Sequence, residues 1–189
     1  MSELSQNTYQ QAVEGLTQGG VIAYPTESCF GLGCDPDNKQ AVEKILALKQ
    51  RPVEKGVILI ASDYSQLTRY IDDAQIPQDK RYQVFSHWPG PFTLLLPIKQ
   101  GVPDYLTGRF DTLAVRVTAH PVARELCRQF GKPIVSTSAN LSGQDSAKTA
   151  VEVEAVFKTE LDYILPGMIG ESDKPSTIIN PLTQQVFRS

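Results

Sequence analysis

The sequence is short of several things, and each shortage excludes something. Its longest uninterrupted apolar run is five residues, 57–61, far below the roughly 18 to 20 that cross a bilayer, so no spanning helix and no membrane partner are expected. Residues 1–11 are polar and lack a basic stretch followed by an apolar one, so no secretory signal is expected and the protein is assigned to the cytoplasm. There are three cysteines, Cys29, Cys34 and Cys127. They cannot all pair, and three free thiols are expected. Neither histidine, His87 or His120, stands at ligand spacing from Cys29 or Cys34, which disfavours a zinc site. Excess positive charge is missing too: 18 Lys and Arg face 21 Asp and Glu, a net charge of -3 that disfavours wholesale coating of a polyanion. The familiar nucleotide and nucleophile motifs are also lacking. Gly131-Lys132 runs into Pro133 and makes no P-loop, Gly31-Leu32-Gly33 lacks a third glycine and reads as turn flexibility, and no serine-centred nucleophile elbow occurs.

What is present is an ordinary folding composition over 189 residues, with 41% hydrophobic and 21% charged side chains. No linker or repeat divides the chain, so one domain over 1–189 is expected. Ala12, Val13 and Leu16 mark a helix over 8–18 that stops at Gly19-Gly20. A strand over 21–24 is halted by Pro25, and 25–36 reads as loop. A helix over 39–49 starts from Asp37 or Asn38. The apolar run 56–61 reads as a buried strand, and Ser62-Asp63 cap a helix to Ile71. Another helix follows Pro77. Strands are expected at 92–96, 112–117 and 134–136, with a helix over 121–130 that opens on proline and ends at Gly131. A last helix over 151–157 precedes a hairpin of 176–179 with 185–188 around Asn180-Pro181. Interleaved helices and strands define an α/β class.

Charge is uneven along this chain. Lys44, Lys49, Arg51 and Lys55 share twelve residues with one acid, Glu54. Lys99, Arg109, Arg116, Arg124, Arg128 and Lys132 face only Asp104, Asp111 and Glu125. Solvated helix faces would account for such runs. Polar segments at element ends favour more: Pro25-Thr26-Glu27-Ser28, Lys49-Gln50-Arg51-Pro52, Arg116 within a strand, and Ser136-Thr137-Ser138-Ala139-Asn140. In α/β folds, ligands lie in the crevice beyond strand ends. If residues 49–51 are extended, as Arg51 before Pro52 prefers, Lys49 and Arg51 point the same way and grip one phosphate chain. By the same period of two, Ser136, Ser138 and Asn140 share a face and offer hydroxyl and amide groups, unless they merely close a turn.

The order and spacing of Tyr24-Pro25-Thr26-Glu27, Gly31-Leu32-Gly33, Lys49-Gln50-Arg51-Pro52, Ala114-Val115-Arg116-Val117 and residues 136–140 resemble the YrdC/TsaC family, the threonylcarbamoyl-AMP synthases. The resemblance runs to Phe187-Arg188 and matches the short bacterial form. The family signature is Lys-x-Arg followed by Ser-x-Asn, met here by Lys49, Arg51, Ser138 and Asn140.

Membership implies a YrdC-like twisted mixed sheet with flanking helices and a concave basic face. It implies an enzyme that makes threonylcarbamoyl-adenylate and pyrophosphate from L-threonine, bicarbonate or CO2, and ATP with Mg2+. The product serves N6-threonylcarbamoyladenosine modification of tRNAs reading codons that begin with A, a transfer completed by TsaD, TsaB and TsaE. The resemblance assigns Lys49 and Arg51 to the ATP phosphates, Asn140 to the nucleotide and Ser138 to the threonine or carbamate end. It assigns Thr26 and Ser28 to the threonine pocket, Arg116 to the amino-acid carboxylate and Ser176 to its closure. Thr112, Lys148 or Thr149, and Arg188 match nucleotide-contacting positions. Ser28 replaces the threonine of many relatives, and Ile60 stands where the long form carries a histidine. Two rival readings stay open. A concave basic face could hold tRNA, double-stranded RNA or rRNA without turnover, and the same domain occurs in hydrogenase maturation proteins, whose acylphosphatase and zinc-finger segments are missing from this sequence.

Overall fold

In the computed structural model, which describes residues 4–189, alternation along the strands decides where everything else sits. Residues 1–3 of the polar segment 1–11 lie outside the described residues. The strands are β1 (Ile22–Pro25), β2 (Phe30–Gly33), β3 (Ile58–Ala61), β4 (Phe92–Pro97), β5 (Thr112–Val117), β6 (Ile134–Ser138), β7 (Tyr163–Ile164), β8 (Thr177–Asn180) and β9 (Gln185–Arg188). They form one mixed sheet in the order β7-β1-β2-β6-β3-β5-β4-β8-β9. The β7–β1, β3–β5 and β4–β8 pairs are parallel and the others antiparallel.

The helices are α1 (Gln6–Thr17), α2 (Lys39–Leu48), α3 (Arg81–Phe85), α4 (Asp104–Thr107), α5 (Pro121–Phe130) and α6 (Ala150–Phe157). None of the described helices is long and apolar enough to cross a membrane. Local chemistry sets their ends. Asn38 Oδ1 accepts from the Ala41 N–H at the start of α2, and Gly131 takes a left-handed conformation after α5.

One face of the sheet carries the larger core. Ala23, Leu59, Ala61, Leu94, Leu96, Leu113, Val115, Val117 and Val135 point there and meet Ala41, Val42, Ile45 and Leu46 of α2. The intervening residues point the other way. Near β1, Ile22, Tyr24, Ile60 and Ile134 are covered by α1 and α5 through Leu16, Ala123 and Leu126. Farther along, the same face is left open. Ile58, Thr93, Leu95, Thr112, Ala114, Arg116, Ser136 and Ser138 line a cavity instead of a core. The period of two thus sorts each strand into a packed side and a side that builds a site.

Several expectations change. Residues 25–36 contain β2, and Gly31 and Gly33 are strand residues, not a flexible turn. The Tyr24 ring lies across them: a Cβ at Gly33 would stand 2.6 Å from Tyr24 Cε1, and one at Gly31 3.3 Å from Cζ. Pro25 ends β1 inside the strand. The helix expected to Ile71 shrinks to a 3-10 turn over Tyr64–Leu67, with Asp63 capping it through the Ser65 N–H. Strand β6 extends to Ser138, and α4 and β7 are additional elements. The closing hairpin is present, and Asn180 Oδ1 accepts from the Leu182 and Thr183 N–H groups at its turn.

Candidate active site

The open half of the sheet face bounds a cavity of about 580 Å³. Its lining includes five cations, Lys49, Arg51, Lys55, Arg116 and Arg188, against one acid, Asp111. The site therefore lies on the concave face, with the ends of β1 and β6 at its rim, and not only beyond the strand ends. Of the first basic run, Lys49, Arg51 and Lys55 reach the cavity, whereas Lys44 pairs with Asp162 at 2.9 Å. Of the second, Arg116 contributes. Arg128 pairs with Glu125, and Lys132 bridges Asp35 and Asp37.

Lys49 is buried at the C-terminus of α2. It does not reach the site by an extended segment. Its own backbone is still helical, and Gln50 turns left-handed with φ 50°. The rule for a residue before proline constrains Arg51 and leaves Gln50 free, which is why the extended reading of 49–51 failed. The Lys49 ammonium donates to the Ser138 carbonyl at 2.5 Å, the Asn140 carbonyl at 2.8 Å and Asn140 Oδ1 at 2.9 Å. Those three acceptors use all its hydrogens. Ser138 Oγ also donates to Asn140 Oδ1 at 2.6 Å, and Asn140 Nδ2 donates to the Gln144 carbonyl at 2.7 Å. Lys49, Ser138 and Asn140 are thus one knot. Burial, helped by the nearby Arg51 charge, pushes the Lys49 pKa down to about 8.

Two arginines are each fastened by one edge. Arg51 donates from Nε and Nη2 to the Gly56 carbonyl and from Nη2 to the Lys55 carbonyl. Arg188 donates from Nε and Nη2 to the Ser176 carbonyl, at 3.0 and 2.8 Å, and from Nη2 to Ser176 Oγ. In both, Nη1 takes no part in these bonds. Burial lowers the pKa of both, and the Arg116 and Arg51 charges lower that of Arg188 further. Arg188 reaches the cavity through a bulge. Ile179 pairs with Val186 while Ile178 pairs with Arg188, so Phe187 is an extra residue and both Phe187 and Arg188 line the cavity.

The other end is built differently. Arg116, on β5, is buried and faces Glu27 across 3.1 Å. Thr26 bonds its hydroxyl to the Cys29 carbonyl at 2.8 Å and closes the turn that carries Ser28. Ser176 Oγ is within 2.7 Å of Thr93 Oγ1. Thr26, Ser28, Arg116, Ser138 and Ser176 all line the same cavity, as do Thr112, Asn140 and Arg188. Ile60 is fully buried, joining the core to the cavity floor, of which it is a part.

Lys148 and Thr149 are not brought into the lining. They are exposed at the start of α6, where Glu152 accepts from both backbone N–H groups and Thr149 Oγ1 accepts from the Glu152 N–H. That reciprocal cap accounts for Thr149 and Glu152, while Lys148 joins it only through its backbone. Three lining or supporting residues escaped assignment from sequence. Phe110 and Phe187 are half-exposed aromatics at the cavity, and the Arg109 guanidinium sits 5.4 Å from the Phe110 ring. The Arg109-Phe110 and Phe187-Arg188 neighbours are a readable signal of cation and ring interleaving. Glu27 gave none, because its partner is remote in the chain.

A cationic hollow on an α/β sheet, with hydroxyls, aromatic rims and a separately paired arginine, has the chemistry of an anion-binding site. The chain belongs to the Sua5/YciO/YrdC family, whose model, described as telomere recombination, matches residues 14–189. It is 58% identical over 178 residues to a protein of Idiomarina loihiensis named threonylcarbamoyl-AMP synthase, covering 94% of this chain and 96% of the relative. A protein of Pseudoalteromonas translucida with the same name is 52% identical over 183 residues, 97% of this chain and 98% of the relative. Among solved structures, P. abyssi Sua5 complexed with L-threonine superposes with a TM-score of 0.87 at 32% identity, over 95% of this chain and 52% of that one. The chain spans about half the length of that Sua5.

Proposed function

We propose that the chain joins L-threonine, bicarbonate or CO2, and ATP into threonylcarbamoyl-adenylate and pyrophosphate. One observation carries this reading: Lys49, which holds the Ser138–Asn140 turn, lines one cavity with Arg51, Arg188 and Arg116, and among the described residues none of the first three is paired with an acid. A volume of about 580 Å³ suits a nucleotide and an amino acid together.

In the reaction, the threonine amine adds to CO2, forming a C–N bond and releasing a proton to solvent. An oxygen of the resulting carbamate attacks the α-phosphorus in line. The bond from that phosphorus to the bridging oxygen breaks, and pyrophosphate leaves with the electron pair. The chain's task is positioning and charge neutralisation, which fits a site without a nucleophile elbow. Arg51 and Arg188 offer their Nη1 groups to phosphate oxygens, and Lys49 keeps the Ser138–Asn140 turn in place while adding its field. Phe110 and Phe187 supply faces for the base. Thr26, Ser28 and Ser176 surround the amino acid, whose carboxylate meets Arg116.

The described residues provide no group of three or more metal-ligating side chains. A Mg2+ ion therefore fits as the counter-ion carried by ATP, where it would neutralise phosphate charge. A product destined for tRNA puts the work in the cytoplasm, with TsaD, TsaB and TsaE as acceptors of the adenylate. Binding of RNA without turnover is not favoured, since it leaves the cavity-lining Arg116, matched to Glu27 behind it, without a task. Incubation with ATP, Mg2+, bicarbonate and single amino acids, read by mass spectrometry, tests the reading: threonine gives the carbamoyl-adenylate in greatest yield. Equal yield from every amino acid, or none, rejects it.

A further inference from the structure

Glu27 is a carboxylate held inside the protein. Its side chain is 13% exposed and that of Arg116 is 9% exposed. Oε1 accepts from the Thr118 hydroxyl at 2.8 Å and from the Ala119 N–H at 3.1 Å, so two neighbours on the exit of β5 fix it. Its backbone is fixed as well. The Ser172 N–H donates to the Glu27 carbonyl at 3.0 Å and the Gly170 N–H to the Thr26 carbonyl at 2.9 Å. A Cβ at Gly170 would stand 2.8 Å from the Glu27 carbonyl oxygen, so the segment that leads to Ser176 lies backbone against backbone on Glu27.

The pairing with Arg116 is one-armed. Only Nη2 approaches Oε2, and that oxygen has no well-formed hydrogen bond, while Arg116 Nε is fully buried and has no partner. An interior arginine that served stability alone would gain more from the two-pronged form, and an unpartnered buried N–H is costly. Yet Arg116 lines the cavity with the hydroxyl-bearing Thr26, Ser28 and Ser176.

We infer that Glu27 is a positioning residue for the amino-acid substrate: it holds Arg116 by Nη2 so that the cavity-facing part of the guanidinium receives the substrate carboxylate, and its charge keeps Arg116 from recruiting phosphate. The inference rests on the reading that the cavity takes an amino acid beside ATP. Glu27 touches no substrate and acts through Arg116. A guanidinium already facing one carboxylate attracts a polyanion weakly but still meets a second carboxylate by directed N–H bonds. Discrimination between the two anionic substrates then comes from whether each cation has an acid beside it.

The experiment is steady-state pyrophosphate release by the full chain, with threonine and ATP varied separately, for the wild type, Glu27→Gln and Glu27→Asp. Glu27→Gln puts an amide near Nη2 and frees the guanidinium. The threonine KM rises about 10- to 100-fold, the ATP KM stays unchanged, and inorganic triphosphate becomes a competitive inhibitor against threonine, which it is not in the wild type. Glu27→Asp keeps the charge and recovers part of the threonine KM. Thr118→Val, which removes one bond to Oε1, moves the threonine KM in the same direction and carries the test if Glu27→Gln does not fold. Parallel rises in both KM values with a lower Tm, or an unchanged threonine KM, overturn the positioning role. A wild type without amino-acid-dependent turnover overturns the functional reading itself, so the two failures are distinguishable.

Discussion

The two ends of the cavity use arginine in opposite ways. At the end proposed to hold phosphate, Arg51 and Arg188 are oriented by backbone carbonyls, which fix direction without cancelling charge. At the end proposed to hold the amino acid, Arg116 is oriented by a carboxylate, which fixes direction and cancels charge together. The difference matches the ligands. A triphosphate carries several charges and is bound by field, whereas a monocarboxylate is recognised by where its two oxygens fall. In the proposed reading, one sheet face would separate two anions by the company its cations keep.

The largest effect that would break this comparison is at Lys49. Removing a charge-stabilising group from such a site costs about 100- to 1000-fold in rate. Lys49→Ala should lose threonine-dependent pyrophosphate release on that scale and still unfold cooperatively. Its Tm should fall, because the Ser138 and Asn140 acceptors lose their shared donor. Unchanged turnover would mean the phosphate end is not where the chemistry is driven.

That end was more legible in the sequence than the other, for a physical reason. Lys49, Arg51, Ser138 and Asn140 stand in two short segments whose residue types already say anion and amide. Where a pattern is local, it reads well: the alternation of β5 and the proline-to-glycine span of α5 both match the structure. Where a residue answers to something distant, it does not. Gly31 and Gly33 are glycines because the Tyr24 ring on the paired strand needs the room. Gln50 turns left-handed for a convergence that its neighbours do not encode. Glu27 was in plain view within Pro25-Thr26-Glu27-Ser28, yet its meaning depends on Arg116 and Thr118 across the fold. Thr149 shows the converse ambiguity, since a helix cap uses the same polar residues as a ligand site.

A smaller effect separates the ends by pH. Burial, with Arg51 beside it, has lowered Lys49 to about 8, so in the free protein its charge is present below that pH and lost as pH rises through it. The kcat/KM for ATP should therefore decline through about pH 8. Bound triphosphate favours the ammonium, which moves the corresponding limb of kcat to higher pH. The amino-acid end has no such limb. Burial raises Glu27, but the Arg116 charge with the Thr118 and Ala119 bonds outweighs it and holds the carboxyl below the ordinary range, so it stays ionised from neutrality upward. Profiles that fall together would deny the two ends their separate electrostatics.

The smallest effect is salt. Screening shortens the reach of uncompensated charge, from about 10 Å at 0.1 M ionic strength to about 3 Å at 1 M. The phosphate end works through Lys49, Arg51 and Arg188 without an acid among their hydrogen-bond partners, and Arg188 is open to solvent. Its field should weaken across this range, raising the ATP KM by roughly fivefold. Arg116 is buried against Glu27, and a close pair inside the protein is little screened. The threonine KM should then change less than twofold by the same reasoning. Kinetics at fixed pH with a non-coordinating salt read both constants at once. A threonine KM that climbed in step with that of ATP would mean Arg116 binds by its charge after all, and Glu27 would then be a passive neighbour.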